Sequence, residues 1–226
     1  MTEAALQAIG MSAGYHGVPA VSDIDLEVRS GEVVALLGAN GAGKTTSIRA
    51  MAGQIGLLGG SVRMNGSDRP GPLFKRIRGG LGLLTESRCV FMGLTVRENL
   101  RLGRGPVDDA LAHFPELDRR MDVRAGLLSG GEQQMLALAR ILAARPKVLM
   151  ADELSLGLAP LIVRRLLDAL TAAAADGAAV LIVEQQTRLA LETAHRGYVL
   201  RRGKVALSGP TAELRAQSAT VADLYL

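Results

Sequence analysis

"EVVALLGANGAGKTTSIRAMA", residues 32–52, holds two periodicities with a glycine loop between them. Residues 32–38 are almost wholly apolar, the pattern of a strand buried on both faces. Residues 38–45 read "GANGAGKT" and satisfy G-x-x-x-x-G-K-[ST] in full. A helix of about ten residues is expected next. The residue types follow from the chemistry of a phosphate group. Gly41 and Gly43 let the backbone pass close to an anion with no Cβ in the way. The loop N–H groups and the helix dipole favour negative charge. Lys44 supplies a point charge for the β- and γ-phosphates, and Thr45 a hydroxyl for Mg²⁺. The plainer alternative, a glycine-rich turn with a chance lysine, leaves the strand before it and the helix after it unexplained.

A metal held beside phosphates also needs a carboxylate on a neighbouring strand. "KVLMADE" (147–153) places Asp152 and Glu153 after an apolar run, at the strand's C-terminal end, the edge where open α/β sheets bind ligands. Asp152 is the candidate Mg²⁺ ligand through water. Glu153 is the candidate general base for an attacking water.

A second helix start has similar chemistry. In "LLSGGEQQMLALAR" (127–140), Ser129 and Glu132 form the pattern of a capping box, so Ser129 could simply cap its own helix. That leaves Gly130 and Gly131 unexplained, because glycine in a first turn costs up to about 1 kcal/mol each. Bare backbone there suits a group that must approach closely. A helix terminus contributes only about 0.3–2 kcal/mol toward an anion. It is too weak to hold a triphosphate, but strong enough to close over one held elsewhere.

The rest of the chain reads as α/β. "VSDIDLEV" (21–28) alternates like a half-buried strand, and Asn65-Gly66 marks a turn in a small β-rich layer. "LGLLT" (81–85) is a short strand, and Thr95–Glu98 is a capping box opening a helix. Residues 87–128 read as an inserted helical subdomain. From 129 onward, helices near 130–144, 160–175 and 186–194 alternate with strands 147–151 and 178–183. A hairpin turning at Arg202-Gly203 closes the pattern. This predicts a mostly parallel sheet covered on both faces. The whole chain, 1–226, reads as one domain with its core in 1–86 and 129–226.

"GANGAGKTT", "LLSGGEQQMLALARIL" and "VLMADE", in this order, resemble the ATP-binding-cassette ATPases, and the resemblance covers essentially the whole chain. It implies ATP and Mg²⁺ as cofactors. ATP contacts are implied at Gly38, Asn40, Gly41, Gly43, Lys44, Thr45 and Thr46, with Tyr15 stacking on adenine. It implies a head-to-tail pair of ATPase subunits in which Ser129, Gly130, Gly131 and Glu132 face the nucleotide held by the partner. "SLGLAP" (155–160) matches the loop that crosses that interface. Within the family, "LLTESRCVFMGLTVRENL", "ELSLGLAP" and "VEQQTRLALETAHRGYVLRRGKVALSG" look closest to the second ATPase subunit of importers for branched-chain amino acids, or for urea and amides. The partners implied are membrane permease subunits, a second ATPase subunit and, indirectly, an extracytoplasmic solute-binding protein. Exporters and cassette ATPases acting on DNA or ribosomes are the alternatives.

Some positions depart from the family pattern. Glu86 stands where the family has a glutamine, and is expected on the metal or water side of the site. Gln185 stands where the switch histidine is expected, so this position supplies no proton near pH 6.5. Leu154 replaces a proline and Ala159 an aspartate. His195 reads as a surface or packing histidine.

Composition narrows the partners. Aromatics at 3% and no Trp argue against a base-stacking surface. A net charge of +4 without a long basic run argues against nucleic acid, and "FKRIR" (74–78) reads as a solvated edge. A single cysteine, Cys89, excludes an internal disulfide. With no basic-apolar leader and no long uncharged apolar run, the expected location is cytoplasmic, peripheral on the inner face of the membrane. Val90, Phe91, Met92 and Leu94 are candidates for a permease-docking surface, with plain packing as the alternative.

Overall fold

The computed structural model describes residues 4–68, 71–85, 87, 89–217, 221 and 224–225. The first strand, β1 (Ala4–Tyr15), runs antiparallel to β2 (Val18–Arg29) and to β4 (Leu57–Met64), forming a three-stranded layer in the order β2-β1-β4. Ile24, Leu26 and Val28 of β2 are buried, as its alternation predicts, and Val21, beyond a register shift, is buried too.

The larger sheet uses β3 (Val33–Gly38), β5 (Leu81–Leu84), β6 (Val148–Asp152), β7 (Ala179–Glu184), β8 (Arg196–Arg201) and β9 (Lys204–Pro210). Its order is β5-β6-β7-β3-β8-β9; every pair is parallel except the β8–β9 hairpin. The central strands read as continuous apolar runs because both faces are covered, and period two divides them between two cores. Val33, Ala35, Leu37, Leu149, Ala151, Val180 and Ile182 face a helical core. Val34, Leu36, Val148, Met150, Ala179, Leu181 and Val183 face the other, which they share with the antiparallel layer. The helix α1 (Lys44–Ala52) packs in this second core through Ile48, Ala50, Met51 and Ala52.

Helix α2 (Leu73–Arg78) precedes β5. Short helical elements follow: α3 (Val96–Arg101), α4 (Val107–His113) and the 3-10 turns Pro115–Arg120 and Ala125–Leu127. Thr95 caps α3 in a reciprocal box with Glu98. Asn99 is fully buried; its Oδ1 accepts from Phe91 N at 2.9 Å, and its Nδ2 donates to Phe91 O and Thr95 O at 3.0 Å. It thereby ties the loop carrying Phe91 and Met92 to α3. Then come α5 (Gly130–Leu142), α6 (Pro160–Ala175), α7 (Thr187–Thr193) and α8 (Thr211–Ala216).

One sequence expectation fails here. Arg76, inside "FKRIR", is buried, and its Nε donates to Gly71 O at 2.6 Å. Its Nη1 donates to Met51 O and, at 3.4 Å, to Ala50 O, so a cation sits on the last carbonyls of α1. Burial lowers its pKa from the ordinary arginine value. Ala50 O also accepts from Gly53 N, so Arg76→Ala chiefly leaves Met51 O and Gly71 O without their arginine donor, at a cost of about 1–3 kcal/mol. We expect Tm to fall by about 2–12 °C in a thermal melt; an unchanged Tm would show that water satisfies the helix end equally well.

Candidate nucleotide site

The loop 38–43 joins β3 to α1. Gly43 caps α1 in a left-handed conformation (φ 106°) and offers the helix no side-chain cap, so the first-turn N–H groups point into the loop. A Cβ on Gly43 would lie 2.3 Å from Val21 Cγ1, so the glycine is required by packing within the chain as well as by any ligand. The Lys44 ammonium folds over the loop, donating to Gly38 O at 2.8 Å and Ala39 O at 3.1 Å. Burial lowers its pKa, while Glu153, Asp152 and Glu184 oppose the shift. Three carboxylates therefore act on one lysine at the end of the sheet. Thr45 is half-buried, Thr46 is buried, and Asn40 and Gly41 are exposed.

Asp152 ends β6 and is buried, in register with Val183 of β7. Glu153 follows with φ 50°. A left-handed backbone at a non-glycine residue costs on the order of 1–3 kcal/mol and persists only where its surroundings impose it. Glu153 N donates to Val183 O at 2.9 Å, and Gln185 Nε2 donates to Glu153 Oε1 at 2.6 Å. Gln185 thus meets the candidate base directly. His195 lies elsewhere; its Nδ1 accepts from Val33 N at 3.0 Å at the start of β3, a packing role.

Tyr15 ends β1 and is 42% exposed, within reach of a flat ligand. Its hydroxyl accepts from Arg49 Nη1 of α1 at 3.3 Å. Glu86 lies outside the described residues.

At the second helix start the capping box is complete. Glu132 N donates to Ser129 Oγ at 3.3 Å and Ser129 N to Glu132 Oε2 at 2.8 Å, with Arg120 Nε on Glu132 Oε1 at 2.9 Å. Burial pushes the Glu132 carboxyl up, but the Ser129 and Arg120 bonds outweigh it and hold the pKa below the usual range. Gly131 has a structural reason that the sequence did not show. Its Cβ would meet Ile162 Cγ2 of α6 at 2.9 Å, so a close helix contact requires it. Gly130 is half-buried at the helix mouth.

Two groups at this end of the sheet were not picked out from the sequence. Tyr225 accepts from Gly38 N at 3.0 Å, so the C-terminal segment touches the phosphate loop. Burial raises its pKa. Glu184 ends β7 at 1% exposure and accepts from Ser155 N at 3.0 Å and Ser155 Oγ at 2.6 Å. The one sequence signal for it was a carboxylate closing the apolar run "AAVLIV".

A complete phosphate loop, a strand-end Asp-Glu pair and a capped SGG helix now stand on one α/β framework, and the family description "ABC transporter" matches residues 21–155. The chain belongs to the ABC transporter ATP-binding family. It is 39% identical over 96% of its length to BraG, a high-affinity branched-chain amino acid transport ATP-binding protein of Pseudomonas aeruginosa, and covers 97% of that relative. A probable branched-chain amino acid transport ATP-binding protein, LivF of Archaeoglobus fulgidus, is 34% identical over 92% of this chain and 93% of its own. LptB, a lipopolysaccharide export system ATP-binding protein of Haemophilus influenzae, is 32% identical over 90% of each chain. The solved structure of an ATP-binding subunit of an ABC transporter superposes with a TM-score of 0.84, 27% identity and 97% coverage of both chains. As a member of this family, this ABC ATPase binds ATP and hydrolyses it to power transport. Among the described residues no helix is long and apolar enough to cross a membrane.

Proposed function

We propose that this ABC ATPase energises import of branched-chain amino acids or related small polar solutes through a membrane permease, from the inner face of the membrane. The observation that carries this reading is the 39% identity to BraG over nearly the full length of both chains. Export is the second reading, favoured by the LptB relative at 32%.

In this reading ATP phosphates lie in the loop 38–46. Lys44 shifts from Gly38 O and Ala39 O to the β- and γ-phosphates, Asn40, Gly41 and Gly43 line the cradle, and Tyr15 stacks on the adenine. Thr45 and Asp152 offer oxygen donors only, one hydroxyl and one carboxylate, which suits Mg²⁺ completed by phosphate oxygens. No group of three or more His, Cys, Asp or Glu among the described residues forms a metal cage without the nucleotide. The ion, when bound, neutralises charge on the phosphoryl group. Glu153 takes the proton of the attacking water while Gln185 orients its carboxylate, and Ser129, Gly130, Gly131 and Glu132 close over a partner subunit's ATP. Glu86 retains its proposed place on the metal side.

The permease docks on the helical subdomain, proposed at 87–128. A groove of about 880 Å³ is lined by Ile77, Val90, Phe91, Leu102 and Arg140, among others. Phe91 (56%) and Leu102 (54%) expose apolar surface there, while Val90 and Leu94 are partly buried. This area suits an amphipathic permease helix. The other proposed partners are a second ATPase subunit and, through the permease, an extracytoplasmic solute-binding protein, with no nucleic acid.

Purifying tagged Glu153→Gln protein from mildly solubilised membranes, with and without ATP, tests the reading. Recovery of permeases and a second cassette ATPase, beside a binding protein that takes up branched-chain amino acids, is the expected result. Recovery of an export assembly, or of nucleic acid, would overturn it.

A further inference from the structure

We infer that Glu184 is a positioning residue for hydrolysis: by gripping Ser155 it holds Glu153 in the left-handed backbone that aims its carboxylate. The inference rests on the reading of Glu153 as general base.

The geometry is a clamp from one strand end onto another. At the end of β7, Val183 O accepts from Glu153 N at 2.9 Å, Glu184 accepts from Ser155 N at 3.0 Å and from Ser155 Oγ at 2.6 Å, and Gln185 donates to Glu153 Oε1 at 2.6 Å. Three successive residues therefore hold the segment 153–155 from both sides of its strained residue. Leu154, between the two gripped positions, is buried in the helical core at 1% exposure. The family's proline at that position would restrict the backbone by its ring; here buried packing and the Ser155 bonds restrict it. Ser155 also starts the turn into Leu158, whose N–H donates to Ser155 O at 3.3 Å. The grip thus extends to the loop expected to cross the subunit interface.

A carboxylate at 1% exposure is an expensive way to satisfy two donors. Burial raises the Glu184 pKa, the Ser155 bonds counter it, and Glu153 adds repulsion. A serine or threonine could satisfy one donor at far lower desolvation cost. Both Ser155 groups need a side chain with two polar ends and the reach of a glutamate or glutamine.

Steady-state hydrolysis and ATP binding by the full chain test this on Glu184→Ala, Glu184→Gln and Ser155→Ala, with Glu153→Gln beside them. Release of the grip lets the Glu153 carboxylate wander by about an ångström, so Glu184→Ala should lower kcat by roughly 10²-fold, with KM and ATP affinity within about twofold. Glu184→Gln keeps an acceptor for Ser155 N and a donor for Ser155 Oγ, and should restore kcat to within about fivefold of the starting protein. Ser155→Ala removes the shorter bond alone and should fall between. The double variant Ser155→Ala, Glu184→Ala should lose no more than Glu184→Ala by itself. A purely structural role would lower Tm and yield while leaving kcat per folded molecule intact, and that result overturns the inference. Should Glu184→Ala not fold, a Ser155→Ala protein with undiminished kcat overturns it equally. Full activity in Glu153→Gln would instead refute the general-base reading itself.

Discussion

Glu153→Gln is expected to reduce ATP turnover by about 10²–10⁴-fold, the range contributed by a positioned general base. Glutamine is nearly isosteric, and its carboxamide oxygen still accepts from Gln185 Nε2, whose bond to Glu153 is 2.6 Å. The backbone bonds around φ 50°, Glu153 N to Val183 O and Ser155 N to Glu184, do not involve the Glu153 carboxylate, so the loop should stay in place. ATP affinity should hold or improve slightly, because a negative group near the phosphates is removed. If two subunits pair head to tail as proposed, that dimer should accumulate with ATP and persist. Single-turnover hydrolysis with size-exclusion chromatography in ATP reads both. Turnover within tenfold of the starting protein would remove Glu153 from the role of base and point to catalysis through the phosphate loop alone.

Lys44→Ala should act earlier, on binding. The ammonium is buried at 5% exposure and donates to two loop carbonyls, Gly38 O and Ala39 O. Asp152, Glu153 and Glu184 also act on it together. Removing it takes away a charge-assisted contact of about 1.5–3 kcal/mol to the phosphates, or roughly 10–150-fold in ATP affinity. The acidic strand ends are also left uncompensated, so the loss should sit at the top of that range at low salt. Hydrolysis at saturating ATP should fall by a further 10²-fold or more, because the same charge stabilises the transferring phosphoryl group. Lys44→Arg should not rescue, since a planar fork cannot fold over the loop as a point charge does. Fluorescent-nucleotide titration with steady-state hydrolysis separates the two effects. ATP affinity unchanged in Lys44→Ala would mean that the loop N–H groups hold the phosphates unaided.

What could be read in the chain before folding was whatever depends on neighbours in sequence. The apolar run 32–38, the phosphate-loop spacing, the alternation of 21–28 and the Thr95 and Ser129 capping boxes are local patterns, and each stands in the structure. Local patterns also hid some elements. β1 (AALQAIGMSAGY) and β4 (LLGGSVRM) carry glycine and small residues that blur their alternation, and their strand character comes from pairing with each other across some fifty residues. α2 and α8 have only six residues each, too short for a helical period to show. Tertiary structure decided the rest, because a polar side chain takes its role from its partner, and partners here are distant in sequence. Arg76 read as solvated until folding set it on carbonyls 25 and 26 residues away. The packing of Ile162 against Gly131, a second reason for that glycine, could not be read from the sequence. Glu184 and Ser155 are 29 residues apart, and Tyr225 and Gly38 are 187 apart. Spacing along the chain carries the motif, but only the parallel sheet brings the ends of β3, β6 and β7 side by side, so that Lys44, Glu153 and Glu184 act on one another.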